Sequence, residues 1–210
     1  MAGSNKQKVK EAALALFNAN GVLNVRLQHI SDASIVSLGN LNYHFRTKEL
    51  LIESLWQDML AQRNELLAEF RVLPLFEDME RLLRRVFQLQ QAYLFFYIDT
   101  PHIIQAFPAI ATSWQKHQDW QRATILMMVH FNVSRGVFRA EPQEAYFAQL
   151  ADVYSQLSDT WAAQQRSLGL DEADFAAYRR SIWTFWSTLF TDRGWQEYRQ
   201  LEAMIAQAIL

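Results

Sequence analysis

Ile30–Lys48 reads ISDASIVSLGNLNYHFRTK. The stretch reads as two short helices joined by a tight turn, the second ending in a cluster of aromatic and basic residues. A short helix held proud of a small domain has the dimensions to enter the DNA major groove, about 12 Å wide. Upstream, Lys8–Asn20 places Val9, Ala12, Ala13, Leu16 and Phe17 at spacings of three and four. That puts them on one stripe of an amphipathic helix. Gly21 ends the helix, as a residue free to take positive φ commonly does. Three helices within fifty residues make the minimal core of a helix-turn-helix domain. Leu27, Ile30 and Ala33 form the expected apolar face of the first short helix, and Val36, Leu41 and Phe45 that of the second. Both faces are expected to pack on Leu16 and Phe17. Ser37, Leu38, Asn40, Asn42, Tyr43 and His44 then face outward, a set rich in hydrogen-bonding groups and suited to a reading surface.

Beyond Thr47 the periodicity is helical almost throughout. Thr47 is placed to cap a helix over Lys48–Phe70, with Leu51, Leu55, Met59 and Leu66 along one side. The free N–H groups at its start, reinforced by the helix dipole, offer a place for a DNA phosphate. Pro74 opens a helix near Leu75–Tyr97 that breaks before Thr100 and Pro101, leaving a short segment over His102–Phe107. Pro108 begins a long helix to Ser134, stopped by Gly136, and Pro142 begins another to Ser167, closed by Gly169. Asp171 or Asp174 starts the next, to about Thr191, and Gly194 separates a last helix over Gln196–Leu210. No internal repeat or flexible linker interrupts the pattern.

The run VSLGNLNYHFRTKELL, preceded by AALALFNANG, resembles the N-terminal domain of TetR-family transcriptional repressors. Leu16, Phe17, Gly21, Ile30, Val36, Ser37 and Gly39 fall on the family's frame, as do Leu41, Tyr43, His44, Phe45, Lys48 and Leu51. The chain departs from that frame at several places. Ser31 and Ser34 replace alanines, Asn42 a tyrosine, and Ile35 the usual glycine of the turn. Arg26 replaces a threonine cap, which makes Asn24 the candidate cap instead. The resemblance implies an all-α protein with a helix-turn-helix DNA-binding domain over residues 1–50. A helical effector-binding and dimerisation domain would follow over residues 51–210. By the same resemblance Tyr43, His44 and Lys48 contact phosphates, which position a protein without reading sequence. Arg26, Gln28 and Arg46 are further phosphate candidates, and Asn40, Leu38 and Asn42 are candidates for base edges. His44 is equally readable as packing beside Phe45, and Lys48 as a solvated lysine.

Composition bounds the remaining classes. At 210 residues, 50% hydrophobic and 13% aromatic, the chain can build a real core in one large domain or two small ones. The absence of cysteine excludes a disulfide framework and thiolate chemistry. The opening MAGSNKQKVKEAAL has no apolar signal core, and no run of eighteen apolar residues follows, so the expected location is the cytoplasm. The net charge of −2 is unevenly spread: residues 1–50 hold six Lys or Arg against three Asp or Glu. A positive head on a negative body suits a protein that meets DNA with one end.

The aromatic density of the body suggests an effector pocket, with Tyr93, Tyr97 and Trp114 as walls and His102, His117 and His130 as polar groups. The same aromatics at helical spacing also suit a plain core. Leu150, Tyr154, Leu157 and Trp161 form one apolar stripe, and Trp186 and Leu189 belong to another, which together suit a two-fold homodimer interface. No G-x-S-x-G, H-E-x-x-H or glycine-rich phosphate loop is present, and the histidines are not spaced as ligands. No enzyme activity, cofactor or metal is therefore expected. The expected function is a sequence-specific DNA-binding transcriptional regulator, a repressor released by a small-molecule effector. The alternative is a helical ligand- or protein-binding module whose head has lost specific DNA binding.

Overall fold

The computed structural model of the protein describes residues 4–70, 74–170 and 174–208. Among them ten helices follow one another: α1 Asn5–Asn20, α2 Leu27–Ser34, α3 Leu38–His44, α4 Lys48–Phe70 and α5 Phe76–Ala92. The second five are α6 Leu94–Ala106, α7 Pro108–Ser134, α8 Tyr146–Ser167, α9 Phe175–Ser187 and α10 Asp192–Ala208. The fold is all-α, as the periodicity predicts. The chain forms two compact units, Met1–Gln62 with Leu89–Gln115, and Arg63–Gln88 with Lys116–Leu210.

In the first unit, the Ser4 hydroxyl accepts from the Gln7 N–H at 3.3 Å and so starts α1; Gly21, at φ 75°, ends it. Val9, Ala13 and Phe17 are fully buried and α1 packs on α2 and α3. Lys10 shares that buried face because Asp58 pairs with its ammonium at 2.5 Å. In α2 the inward face differs from the expected one. Ile30 is buried, but Ala33 is exposed and Ser31 and Ser34 are inside. Their hydroxyls are satisfied locally: Ser31 donates to the Val36 carbonyl at 2.7 Å and Ser34 to that of Ser31 at 3.1 Å. A buried hydroxyl with a partner costs little, so serine can stand where the family has alanine. Nor does Asn24 cap α2. Its amide donates to the Asn20 carbonyl at 2.9 Å, closing α1, while α2 starts at Arg26, whose N–H is held by His29 Nδ1 at 3.3 Å.

The break expected at Pro101 falls eight residues earlier, at Tyr93. The Asn18 amide bridges this break, donating to the Ala92 carbonyl and accepting from the Phe95 N–H, both at 2.9 Å. Pro101 lies inside α6, just after a kink at Asp99, in the first turn of the second half, where its missing N–H is not needed.

In the second unit, Arg139 N–H donates to the Leu189 carbonyl at 2.8 Å and Thr191 N–H to that of Val137 at 3.1 Å. They flank the antiparallel bridge Phe138–Phe190. This pairing delays α8: it starts at Tyr146, not Pro142, behind a left-handed Ala145 at φ 62°. Gly194 lies within the first turn of α10 and does not separate helices. A Cβ there would run into the Val137 carbonyl oxygen, so the helix passes the bridge only as glycine. Phe76, Phe138, Trp183 and Phe190 form the aromatic centre, with Phe76 and Phe190 stacked at 5.0 Å. Beside them Glu80 is buried, accepting from Arg179 Nε on both oxygens at 2.9 Å and from Trp183 Nε1 at 2.8 Å.

Candidate nucleic-acid interface and ligand cavity

The candidate reading face is built on α3. Ser37 is its N-cap, its hydroxyl oxygen accepting from the Asn40 N–H at 3.3 Å, and buried Leu41 fixes the inward side. Leu38 is 37% exposed and Tyr43 82%, with Asn42 also exposed. Asn40 and His44 are half-buried, and His44 packs edge-on against Tyr43 at 5.2 Å. Asn40 Oδ1 accepts from Asn5 Nδ2 at 3.4 Å, so one of the two amide groups expected to read adenine has an intramolecular partner. Asn5 had no signal in the sequence, since only the fold brings the start of α1 beside α3. Arg26 and Arg46 are exposed; Gln28 is exposed too, but donates to Asp32 at 2.8 Å.

Lys48 is half-buried. Its ammonium donates to the carbonyls of Val22 at 2.9 Å and Val25 at 3.1 Å, which locks the loop between α1 and α2. The N-terminus of α4 is occupied by the chain's own side chains. Thr47 accepts from the Leu50 N–H at 3.3 Å, and the Glu49 carboxyl is held below its ordinary range by its own backbone N–H and the Thr47 hydroxyl. The turn before α3 keeps the left-handed shape that usually calls for glycine: Ile35 sits at φ 55°, ψ 35° and is 94% exposed. A β-branched residue is strained there.

The second unit encloses a cavity of about 50 Å³ among α4, α5, α7, α8 and α9. Leu67, Met79, Leu83, Ile125, Ile182 and Trp186 make much of its apolar wall. Arg63, Gln121, Thr124, Tyr154 and Ser158 bring polar groups. Arg63 is buried; it donates to Asp159 at 2.7 Å and to the Gln121 side-chain oxygen. Asp159 also accepts from Gln118 at 2.9 Å, and Gln121 donates to Ser155 at 3.1 Å. Burial pushes the Tyr154 phenol up to about 12, so it remains a neutral donor. Arg63 did carry a signal in the sequence, a charged residue in the stripe of Met59, Leu66 and Leu67.

The six aromatic and histidine candidates are not brought together, and none lines this cavity. Tyr93, Tyr97, His102 and Trp114 belong to the first unit. Tyr93 accepts from Gln62 at 2.9 Å, Tyr97 is buried, Trp114 packs edge-on against Trp56 at 5.7 Å, and His102 is exposed. In the second unit His130 is exposed with its ring edge on Phe147, while His117 is buried and its pKa is lowered to about 3 by desolvation and then by the Arg63 charge. Among the dimer candidates Leu150, Trp161, Trp186 and Leu189 are buried within the chain itself, and Tyr154 and Leu157 are half-buried. Trp186 stacks on Phe138 at 5.9 Å. Leu150, Trp161, Trp186 and Leu189 therefore mark the faces turned to the unit's own core, and on α8 Val153, 50% exposed, faces out. Among the described residues no cluster of three or more His, Cys, Asp or Glu is placed to hold a metal, and no helix is long and apolar enough to cross a membrane.

A family model described as bacterial regulatory proteins of the tetR family matches residues 10–55, and one described as bacterial transcriptional repressor, TetR, matches residues 56–198. No curated protein matches the sequence. Among solved structures, a TetR-family transcriptional regulator from Marinobacter aquaeolei VT8 is similar at TM-score 0.85 and 22% identity, over 96% of this chain and 98% of that one. The ketosteroid transcriptional regulator KstR2 of Mycobacterium tuberculosis is similar at TM-score 0.69 and 15% identity, over 91% and 98%. A transcriptional regulator from Saccharomonospora viridis in complex with choline is similar at TM-score 0.67 and 22% identity, over 86% and 94%. At these identities the likeness is one of fold.

Proposed function

Since the chain belongs to the TetR family of DNA-binding transcriptional regulators, we propose that it is a cytoplasmic homodimeric repressor that a small molecule releases from its operator. Residues 1–50 would bind DNA, and residues 51–210 would bind the effector and dimerise. The observation that carries this reading is the exposed face of α3, where Leu38, Asn42 and Tyr43 stand outward above a helix pinned by Leu41 and capped by Ser37. Such a face serves no packing purpose within the chain and has the chemistry to meet base edges and phosphates.

In a dimer, two copies of α3 held roughly 34–36 Å apart would enter successive major grooves of a near-palindromic operator. The outer sides of α8 and α9, with Val153 and Leu157, are the proposed two-fold contact. A ligand that favours a body conformation with another head separation would weaken operator binding by its differential affinity for that state. No step of this reading asks for catalysis.

Selection of bound sequences from a random duplex pool at fixed, near-physiological salt tests the proposal. Enrichment of a near-palindrome with half-sites about one helical turn apart is the expected result. A folded dimer that enriches nothing would overturn it in favour of a ligand-binding module without specific DNA recognition.

A further inference from the structure

Within the reading that the second unit takes a small-molecule effector, we propose that this ligand is an uncharged, mainly aliphatic molecule with a single hydrogen-bonding group, seated against Arg63 and Tyr154. Arg63 is the charged side chain on the cavity wall, and its charge is already matched by Asp159 at 2.7 Å. An anionic ligand would compete with Asp159 for one guanidinium and bring a second buried negative charge beside the first. A cationic ligand would meet Arg63 with its counter-charge already engaged. Either ion gives up its hydration without gaining a partner, which a buried charge does not tolerate. His117, held neutral by its burial, adds no charge.

The polar groups gather around the Arg63–Asp159 pair, and most are committed to one another. Gln121 bonds Arg63 and Ser155, and Ser158 bonds Tyr178 at 2.8 Å. What they offer a ligand is one small polar end. The rest of the wall is apolar, including Leu82, Leu83, Val86 and Ile182. At about 50 Å³ the cavity is far smaller than a drug-sized site of roughly 300 Å³ or more, so a ligand has to make room. Met79 and Met128 in the wall can do so by changing rotamer, which favours a slender, flexible chain over a rigid ring system.

The test compares 1-octanol, octanoate and octyltrimethylammonium on the full chain, without DNA. Tryptophan fluorescence reports binding, because Trp183 and Trp186 line the cavity, and the shift in Tm confirms it. Octanol is expected to bind at least about tenfold tighter than either ion. Equal or tighter binding of an ion, or no binding of octanol, overturns the proposal. In Asp159→Asn the guanidinium loses its counter-charge, and octanoate affinity is expected to rise about tenfold while octanol changes little. A folded Asp159→Asn variant in which the ratio of octanol to octanoate affinity is unchanged overturns the charge argument. Should that variant not fold, the order of the three probes on the unaltered chain decides. Val86→Phe, which narrows the cavity, is expected to lose octanol binding; unchanged binding overturns the location. Operator affinity is read separately. Octanol that binds with this selectivity yet leaves operator affinity unchanged supports the ligand assignment and overturns release by effector.

Discussion

The Lys48 ammonium donates to the main-chain carbonyl of Val22 at 2.9 Å, tying the start of α4 to the loop behind α1. A second bond, to Val25, makes this a structural clamp. Lys48→Met keeps the length of the side chain and removes its charge. Its unfolding free energy, from urea titration, should fall by about 1–2 kcal/mol, the worth of hydrogen bonds to a charged, half-buried donor. A lysine serving phosphate alone would leave stability untouched and lower the salt slope of DNA binding by about one.

Ile35 holds a left-handed conformation that costs a non-glycine residue about 1–2 kcal/mol, and its side chain is 94% exposed. Removing that side chain forfeits no burial. Ile35→Gly should therefore stabilise the protein by about 0.5–1 kcal/mol, after glycine's greater freedom in the unfolded chain is allowed for. A thermal melt reads the result; an unchanged or lower Tm would place no strain in this turn.

His117 has its pKa lowered to about 3, first by burial and then by the Arg63 charge. Its ordinary value is about 6.5. Between those values the unfolded chain binds a proton that the folded chain does not. Stability therefore rises with pH through that window and is lost as acid is added, with a slope of at most about 1.4 kcal/mol per pH unit. Urea unfolding across the window should show this slope, and His117→Leu should flatten it.

Gly194 and Gly39 should respond oppositely to alanine. At Gly194 the new Cβ meets the Val137 carbonyl and, at 3.3 Å, the Phe190 Cβ, so overpacking should cost about 1–3 kcal/mol. At Gly39, inside α3, it meets nothing within 4 Å, and the gain in helix propensity should stabilise by about 0.5–1 kcal/mol. Paired chemical denaturation of the two variants decides.

What was legible in the sequence followed local chemistry. Thr47 starting α4 and Pro108 starting α7 need only their near neighbours, and both helices run as the periodicity predicts. The misplaced boundaries have distant causes. The break at Tyr93 depends on Asn18, more than seventy residues away, and the late start of α8 on pairing with the segment around Phe190. The outward positions Leu38, Asn42 and Tyr43 of α3 were legible because they follow directly from the buried ones. The cavity was not, because aromatics such as Trp114 are satisfied by one another while its polar wall, Arg63 included, is spread over three helices far apart in the chain.

Glu80 is bonded on both oxygens by Arg179, ninety-nine positions along the chain, and again by Trp183. Loss of Glu80 would strand the buried Trp183 N–H and take from Arg179 one of its two carboxylate partners, the other being Glu202. Glu80 is therefore expected to change in step with Trp183 and Arg179, so that these scattered letters would be inherited together. In a set of descendants, correlated change between positions 80 and 179 would date the point at which this interior was rebuilt.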